Sequence, residues 1–245
     1  MQARPCATVD LVADIICPWC TVGRRRLDAA LAELADERLH LDWVWRPFLL
    51  YPDAPPGGVD QGAHLVRRFG SAVAADRYHD GVAEAGRDVG FDFRYDRIAV
   101  TPNTTQAHRL LLLAAGTGQQ PMLAEMLARA FFIDGLDIGD ADILAGLAAA
   151  SFMDADAVRA MLEGDQHRAD VVASDAAAKQ AGIRYVPTFC LHGRILNVPD
   201  IEDLAGVLRT AHRALASCSS PDMEKKNGCT APQLTSAYPL PTTRP

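Results

Sequence analysis

From Thr8 to Ile16, apolar and β-branched residues crowd into one compact run, which predicts a strand. Beyond residues 17–20 the period changes. Leu27, Ala30, Leu31 and Leu34 fall at i, i+3, i+4 and i+7, the stripe of an amphipathic helix. Leu39 to Trp45 alternates apolar and polar positions and predicts a second strand. Arg46-Pro47 ends it, because proline has no N–H to give to a ladder.

Pro52 to Gly62 is rich in turn residues, and a long helical stretch follows. Asn103 to Gln106 reads as a capping box ahead of Ala107, Leu110, Leu111 and Ala114. Pro121 suits the first turn of a helix carrying Met122, Met126, Leu127 and Ala130. Asp140 and Asp154 each cap an alanine-rich helix, and Gly182 stops the helix that carries Val172, Ala173 and Ala176. Strand character then returns. Ile183 to Leu191 is one apolar run, His192-Gly193-Arg194 a tight turn, and Ile195 to Val198 the returning strand. Asp200 caps a last amphipathic helix through Ile201, Leu204, Leu208 and Leu215. From Ser217 onward Ser, Pro, Thr and Gly dominate without periodicity, the composition of a flexible tail.

The order is strand–helix–strand, a block of helices, then strand–strand–helix. Such an order describes one α/β unit split by a helical insertion, not two domains in tandem. The split unit takes residues 1–50 and 183–216, the insertion 51–182 and the tail 217–245.

Composition narrows the function classes. A 49% hydrophobic and 22% charged chain of 245 residues has the volume for a real core and the polarity of a globular protein. Its longest apolar stretch, Leu110 to Ala115, is far short of the roughly 20 residues of a membrane span. A net charge of −7 argues against nucleic acid or an anionic membrane as partner. Arg24-Arg25-Arg26, the one basic run, reads as a solvated helix face. The first residues show no apolar signal segment, so a cytoplasmic location is expected. In that compartment six cysteines point to metal binding or redox work in preference to a disulfide framework.

The candidate chemistry is Cys17-Pro18-Trp19-Cys20, between a strand and a helix. That spacing puts the Cys17 sulfur at a helix N-terminus, where unpaired N–H groups and the dipole favour a thiolate. Pro18 fits the first turn. Cys20, one turn on, lies deeper and within bonding reach of Cys17. Cys17 is thus the attacking thiol and Cys20 the one that resolves a mixed disulfide. Half of a zinc site is the alternative, but Cys190, Cys218, Cys229 and the scattered histidines supply no second ligand pair at zinc spacing. No metal is expected.

Asp14-x-x-Cys17-Pro18-Trp19-Cys20-x-Val22-Gly23, followed late in the chain by Val186-Pro187-Thr188-Phe189, resembles the DsbA-like thioredoxin-fold disulfide oxidoreductases, and more closely their FrnE-type cytoplasmic branch. Arg46-Pro47-Phe48, Asn103 with Ala107-His108-Arg109-Leu110, and Phe131-Phe132-x-x-Gly135-x-Asp137-Ile138 add to the resemblance, which runs over roughly residues 8–215. It implies a thioredoxin fold with a large α-helical insertion between its βαβ and ββα halves. It implies a cis Pro187 beside Cys17 and Cys20, and Val186 backbone groups that hold an extended peptide. Protein or peptide thiols and disulfides become the expected substrates. The cysteine pair carries the electrons, so no bound cofactor is expected; glutathione is a candidate electron donor or co-substrate.

Several residues keep two readings. Pro18-Trp19 carries no histidine, so oxidation, reduction and isomerisation all stay open. Related enzymes often place a buried acid six residues before the first cysteine, where this chain has Leu11. Asp14 either substitutes for that acid or is a solvated strand-end aspartate. Arg46 neutralises a thiolate or a glutathione carboxylate, or is a surface arginine. Asn103 is a cap or lines the site, and His108 is a satisfied helix histidine or a catalyst. Cys190 reads as a small buried hydrophobe. Cys218 and Cys229 are a candidate accessory redox pair or, with Cys6, untied terminal thiols. Two rival functions stand beside the oxidoreductase/isomerase reading. One is a glutathione-dependent isomerase or transferase resembling the kappa-class transferases and hydroxychromene-carboxylate isomerases, which usually carry serine at the position of Cys17. The other is a non-catalytic interaction module with a thioredoxin-like fold.

Overall fold

The computed structural model describes residues 7–198 and 200–218. Its centre is strand β1 (Ala7–Ala13), flanked on one side by the parallel strand β2 (Leu41–Pro47) and on the other by the antiparallel strand β5 (Thr188–Leu191). Strand β6 (Arg194–Ile195) completes the order β2-β1-β5-β6. Register puts Leu11 opposite Trp45 and Phe189, and Val9 opposite Trp43 and Leu191. These six side chains share one sheet face and join the main core with Leu27 and Leu34 of helix α1 (Pro18–Asp36). Pleating turns Val12 to the other face, where it packs with Phe48, Ala178, Ile183 and Cys190. This is the DsbA-like thioredoxin fold that the resemblance implied.

Between β2 and β5 the chain runs through the insertion: β3 (Val59–Asp60), α2 (Gln61–Phe69), α3 (Ala72–Asp88), β4 (Val100–Thr101), α4 (Thr105–Ala115), α5 (Gln120–Phe132), α6 (Ala141–Ala150), α7 (Ala155–Glu163) and α8 (Arg168–Gln180). The caps at Asp140 and Asp154 form as expected, each carboxylate accepting two backbone N–H groups of the first turn. Gly182, at φ +86°, ends α8 in the left-handed conformation, and Ile183 N–H reaches back to the Ala178 carbonyl. The β3–β4 pair is two residues a side, too short to leave a period in the sequence.

Several expectations need correction. The first strand ends at Ala13, and residues 14–16 turn into the helix. The run from Ile183 is strand only from Thr188, because Pro187 has no N–H for the ladder. The return strand starts at Arg194, since His192 and Gly193 both take positive φ and form the turn by themselves. The capping box does not close: Thr104 is the N-cap residue of α4, and Gln106 instead donates to the Leu162 carbonyl. Helix α8 buries Val171, Ser174, Asp175 and Ala178, a face rotated from Val172, Ala173 and Ala176. It docks through polar contacts, with Asp175 accepting from Leu49 N–H and Ser174 donating to the Pro47 carbonyl.

The arginine run is not a solvated face. Arg24 is buried and pairs with Asp28 and Glu125, Arg25 reaches Glu125 and the Val89 carbonyl, and Arg26 pairs with Glu202. The three side chains tie α1 to the insertion and to the turn that precedes the last helix. That helix, α9 (Leu204–Cys218), follows a turn capped by Asp200 and runs past Ser217, where the tail was expected to begin. Residues 219–245 of the expected tail lie outside the described residues.

Candidate active site

The turn after β1 delivers Cys17 to the start of α1. Cys17 N–H donates to the Asp14 carbonyl at 3.1 Å, and the Cys17 carbonyl accepts from Cys20 N–H at 3.0 Å. Cys17 is therefore the N-cap residue, with Pro18 in the first turn, where its missing N–H costs nothing. Cys17 and Cys20 are free cysteines in this structure. They are not equivalent: Cys17 is 6% exposed and borders a cavity, whereas Cys20 is fully enclosed. Burial pushes the Cys20 thiol well above its ordinary range, and its hydrogen bond to Cys17 and the Cys17 charge push the same way.

The cis peptide bond between Val186 and Pro187 sits against this turn. Cys17 Sγ donates to the Val186 carbonyl at 3.7 Å. The Pro187 ring lies over Gly23 of α1, where an added Cβ would come within 2.6 Å of Pro187 Cγ. Gly23 is a helix-interior glycine with a packing reason, a role that the sequence does not reveal because Pro187 is distant along the chain.

A cavity of about 520 Å³ opens beside Cys17. Trp19 (39% exposed) and Tyr185 (85% exposed) stand at its rim. The insertion supplies the far walls with a set of aromatic rings that sequence reasoning did not single out. His79 stacks on Tyr95 with centroids 3.8 Å apart, and Phe132 meets Tyr95 edge-on. Tyr51 meets His64 edge-on at 4.3 Å. Burial pushes Tyr78 up to about 12 and raises Tyr95, with the Cys17 charge adding to both. Burial holds the His79 and His64 imidazoles below their ordinary value, and Arg67 and Arg68 add to the effect at His64.

The remaining candidates separate into two groups. Asp14 and His108 meet. Asp14 is not solvated: it is 0% exposed, its Oδ2 accepts from Leu50 N–H at 2.8 Å, and its Oδ1 lies 3.3 Å from His108 Nε2. His108, on α4, is equally enclosed, and its Nδ1 has no hydrogen-bond partner among the described residues. Arg46 and Asn103 are elsewhere. Arg46 donates to Asp10 at 2.6 Å, on the sheet face that carries Cys190, and does not border the cavity. Asn103 links the Ala54 carbonyl to Thr105 N–H and so ties down the loop after β2. Cys190 is buried, and burial together with Asp10 pushes its thiol up to about 12. Cys6, Cys229 and the side chain of Cys218 lie outside the described residues. Among the described residues no three His, Cys, Asp or Glu side chains gather as a metal site.

A family model described as a DSBA-like thioredoxin domain matches residues 8–209. No curated protein matches the chain. Among solved structures, a probable DsbA oxidoreductase from Streptomyces coelicolor is 28% identical, with a TM-score of 0.76 over 84% of this chain and 90% of the other. The cytosolic disulfide reductase DsbM from Pseudomonas aeruginosa, solved with GSH, is 21% identical with a TM-score of 0.59, over 84% of this chain and 99% of the other. The second likeness is one of fold.

Proposed function

The chain belongs to the DSBA-like thioredoxin domain family, and on that premise we propose that it is a thiol–disulfide oxidoreductase or isomerase acting on protein disulfides through Cys17 and Cys20. The observation that carries this reading is the asymmetry of the pair: one sulfur at a helix N-terminus beside a cavity and the Val186 carbonyl, the other enclosed behind it.

In the reducing direction, Cys17 thiolate attacks one sulfur of a substrate disulfide and the other substrate sulfur leaves as a thiolate. Cys20 then loses its proton and attacks Cys17 Sγ. The second substrate thiolate leaves, a Cys17–Cys20 disulfide forms, and two electrons have passed to the substrate. Oxidation is the same sequence reversed, and isomerisation stops at the mixed disulfide. Proton removal from an enclosed Cys20 is the demanding step, and the buried Asp14–His108 pair is our candidate to accept that proton. Val186 is the candidate docking point for an extended substrate backbone, with Pro187 beside the sulfur. The cysteine pair needs no bound cofactor to carry electrons. We extend the reading to a cytoplasmic site of action, as the name of the Pseudomonas aeruginosa reductase has it for that protein.

Insulin reduction measured beside reactivation of scrambled ribonuclease, each with and without glutathione, tests the reading. Activity on either protein that is lost in Cys17→Ser supports it. Turnover of glutathione-linked substrates alone would favour the glutathione-dependent isomerase or transferase.

A further inference from the structure

The cavity beside Cys17, which Val186 also borders, has a chemistry of its own. Its volume of about 520 Å³ falls within the roughly 300–1,000 Å³ of pockets that take a whole small molecule. Its walls are rich in aromatic rings, and Tyr51, Phe69, Tyr78, Tyr95 and Phe132 offer faces and edges to a planar group. Its charge is one-sided. In a chain of net charge −7, the lining residues include Arg68 and Arg184 and, among the described residues, no aspartate or glutamate. Arg68 makes no ion pair among the described residues, unlike Arg24, Arg25, Arg26 and Arg209. Its guanidinium lies over the rings of Phe69 and Tyr51, 5.4 and 6.0 Å from their centroids. The buried Tyr95 hydroxyl has no hydrogen-bond partner among the described residues.

We propose that this cavity binds a low-molecular-weight aromatic disulfide carrying a carboxylate, which the Cys17–Cys20 pair reduces. The aromatic ring lies among the tyrosines and phenylalanines, and the carboxylate meets Arg68, whose planar donors suit it. Among the described residues no acidic side chain lines the cavity to meet an ammonium group, so cystamine or glutathione disulfide leaves its cationic end unmatched. The reduction balances without another reagent. Cys17 thiolate forms a mixed disulfide with one half of the ligand and expels the other as an aromatic thiolate. Cys20 thiolate, its proton given up, attacks Cys17 Sγ and expels the second. The protein ends as the Cys17–Cys20 disulfide, two electrons poorer.

The inference rests on Cys17 as the attacking thiol, and its test separates the two. Nitrobenzoate, which cannot react, is titrated into the full-length Cys17→Ser protein by calorimetry, and into the same protein with Arg68→Gln or Arg68→Lys. Expected are saturable one-site binding, a loss of about tenfold or more in Arg68→Gln and partial recovery in Arg68→Lys, tenfold corresponding to about 1.4 kcal/mol. No binding, or binding indifferent to Arg68→Gln, overturns the inference and leaves the cysteine roles intact. The reduced wild-type protein is then mixed with dithiobis(nitrobenzoate), neutral dithiodipyridine and glutathione disulfide, each rate divided by that of free N-acetylcysteine. The anionic aromatic disulfide is expected to lead, and Arg68→Gln to slow it alone. Equal slowing of all three overturns the inference, and no reaction with any of them overturns the role of Cys17.

Discussion

Asp14 and His108 face each other in full enclosure, Oδ1 to Nε2 at 3.3 Å, where the turn after β1 meets helix α4 of the insertion. The same turn holds Cys17 N–H and contacts the Cys20 sulfur through the Asp14 backbone. One polar pair therefore joins the insertion to the cysteine turn.

If that pair receives the Cys20 proton, Asp14→Asn slows the second step more than the first. The amide oxygen keeps the Leu50 N–H bond, so the turn is held while the base is lost. Rapid-quench measurement should find resolution slowed by about tenfold or more near neutral pH, within the usual range for removal of a general base. The deficit should shrink as rising pH ionises Cys20 unaided. Equal slowing of both steps at every pH would assign Asp14 a positioning role only.

Gly23→Ala puts a methyl group into the Pro187 ring. Urea unfolding should show a loss of about 1–3 kcal/mol, the usual cost of overpacking, together with weakened exchange on protein substrates. Gly81, in the interior of α3 with nothing within 4 Å of an added Cβ, is the control. There alanine should stabilise by about 0.5–1 kcal/mol, the difference in helix propensity.

Cys190 should be inert in the folded protein and react with iodoacetamide only after unfolding, because its thiol is pushed from 9.0 up to about 12. The sign of the linkage follows. The folded state holds this proton more tightly, so the contribution to stability is complete below pH 9 and is lost as pH climbs toward 12. Cys190→Ala should flatten that alkaline decline in a series of unfolding curves. Native alkylation of Cys190 at neutral pH would contradict its enclosure.

Much of the α/β frame was legible because β1, α1, β2 and α9 carry clean apolar periods, and the cysteine turn because strand, proline and helix signals converge on residues 14–20. What escaped notice was polar or long-range. Arg24 reads as surface until Glu125, a hundred residues away, is brought beside it. Asp14 and His108 each read as ordinary in isolation, since no local pattern records a contact between a strand-end turn and a distant helix. Helix α8 buries a serine and an aspartate, so an apolar stripe pointed to the wrong face. The aromatic cavity is assembled from several helices and loops far apart in the chain, and no window of sequence contains it.

The central claim, that Cys17 attacks and Cys20 resolves on protein disulfides, is tested most directly by trapping with Cys20→Ser. Without a second thiol held at bonding distance, escape depends on bulk thiols at far lower effective concentration. Cells making this variant should accumulate mixed disulfides, seen as high-mass bands on non-reducing gels, released by dithiothreitol and absent when Cys17→Ser is added. Intact-mass analysis that finds Cys17 accessible yet joined to no protein, or only to a small thiol, would contradict the claim.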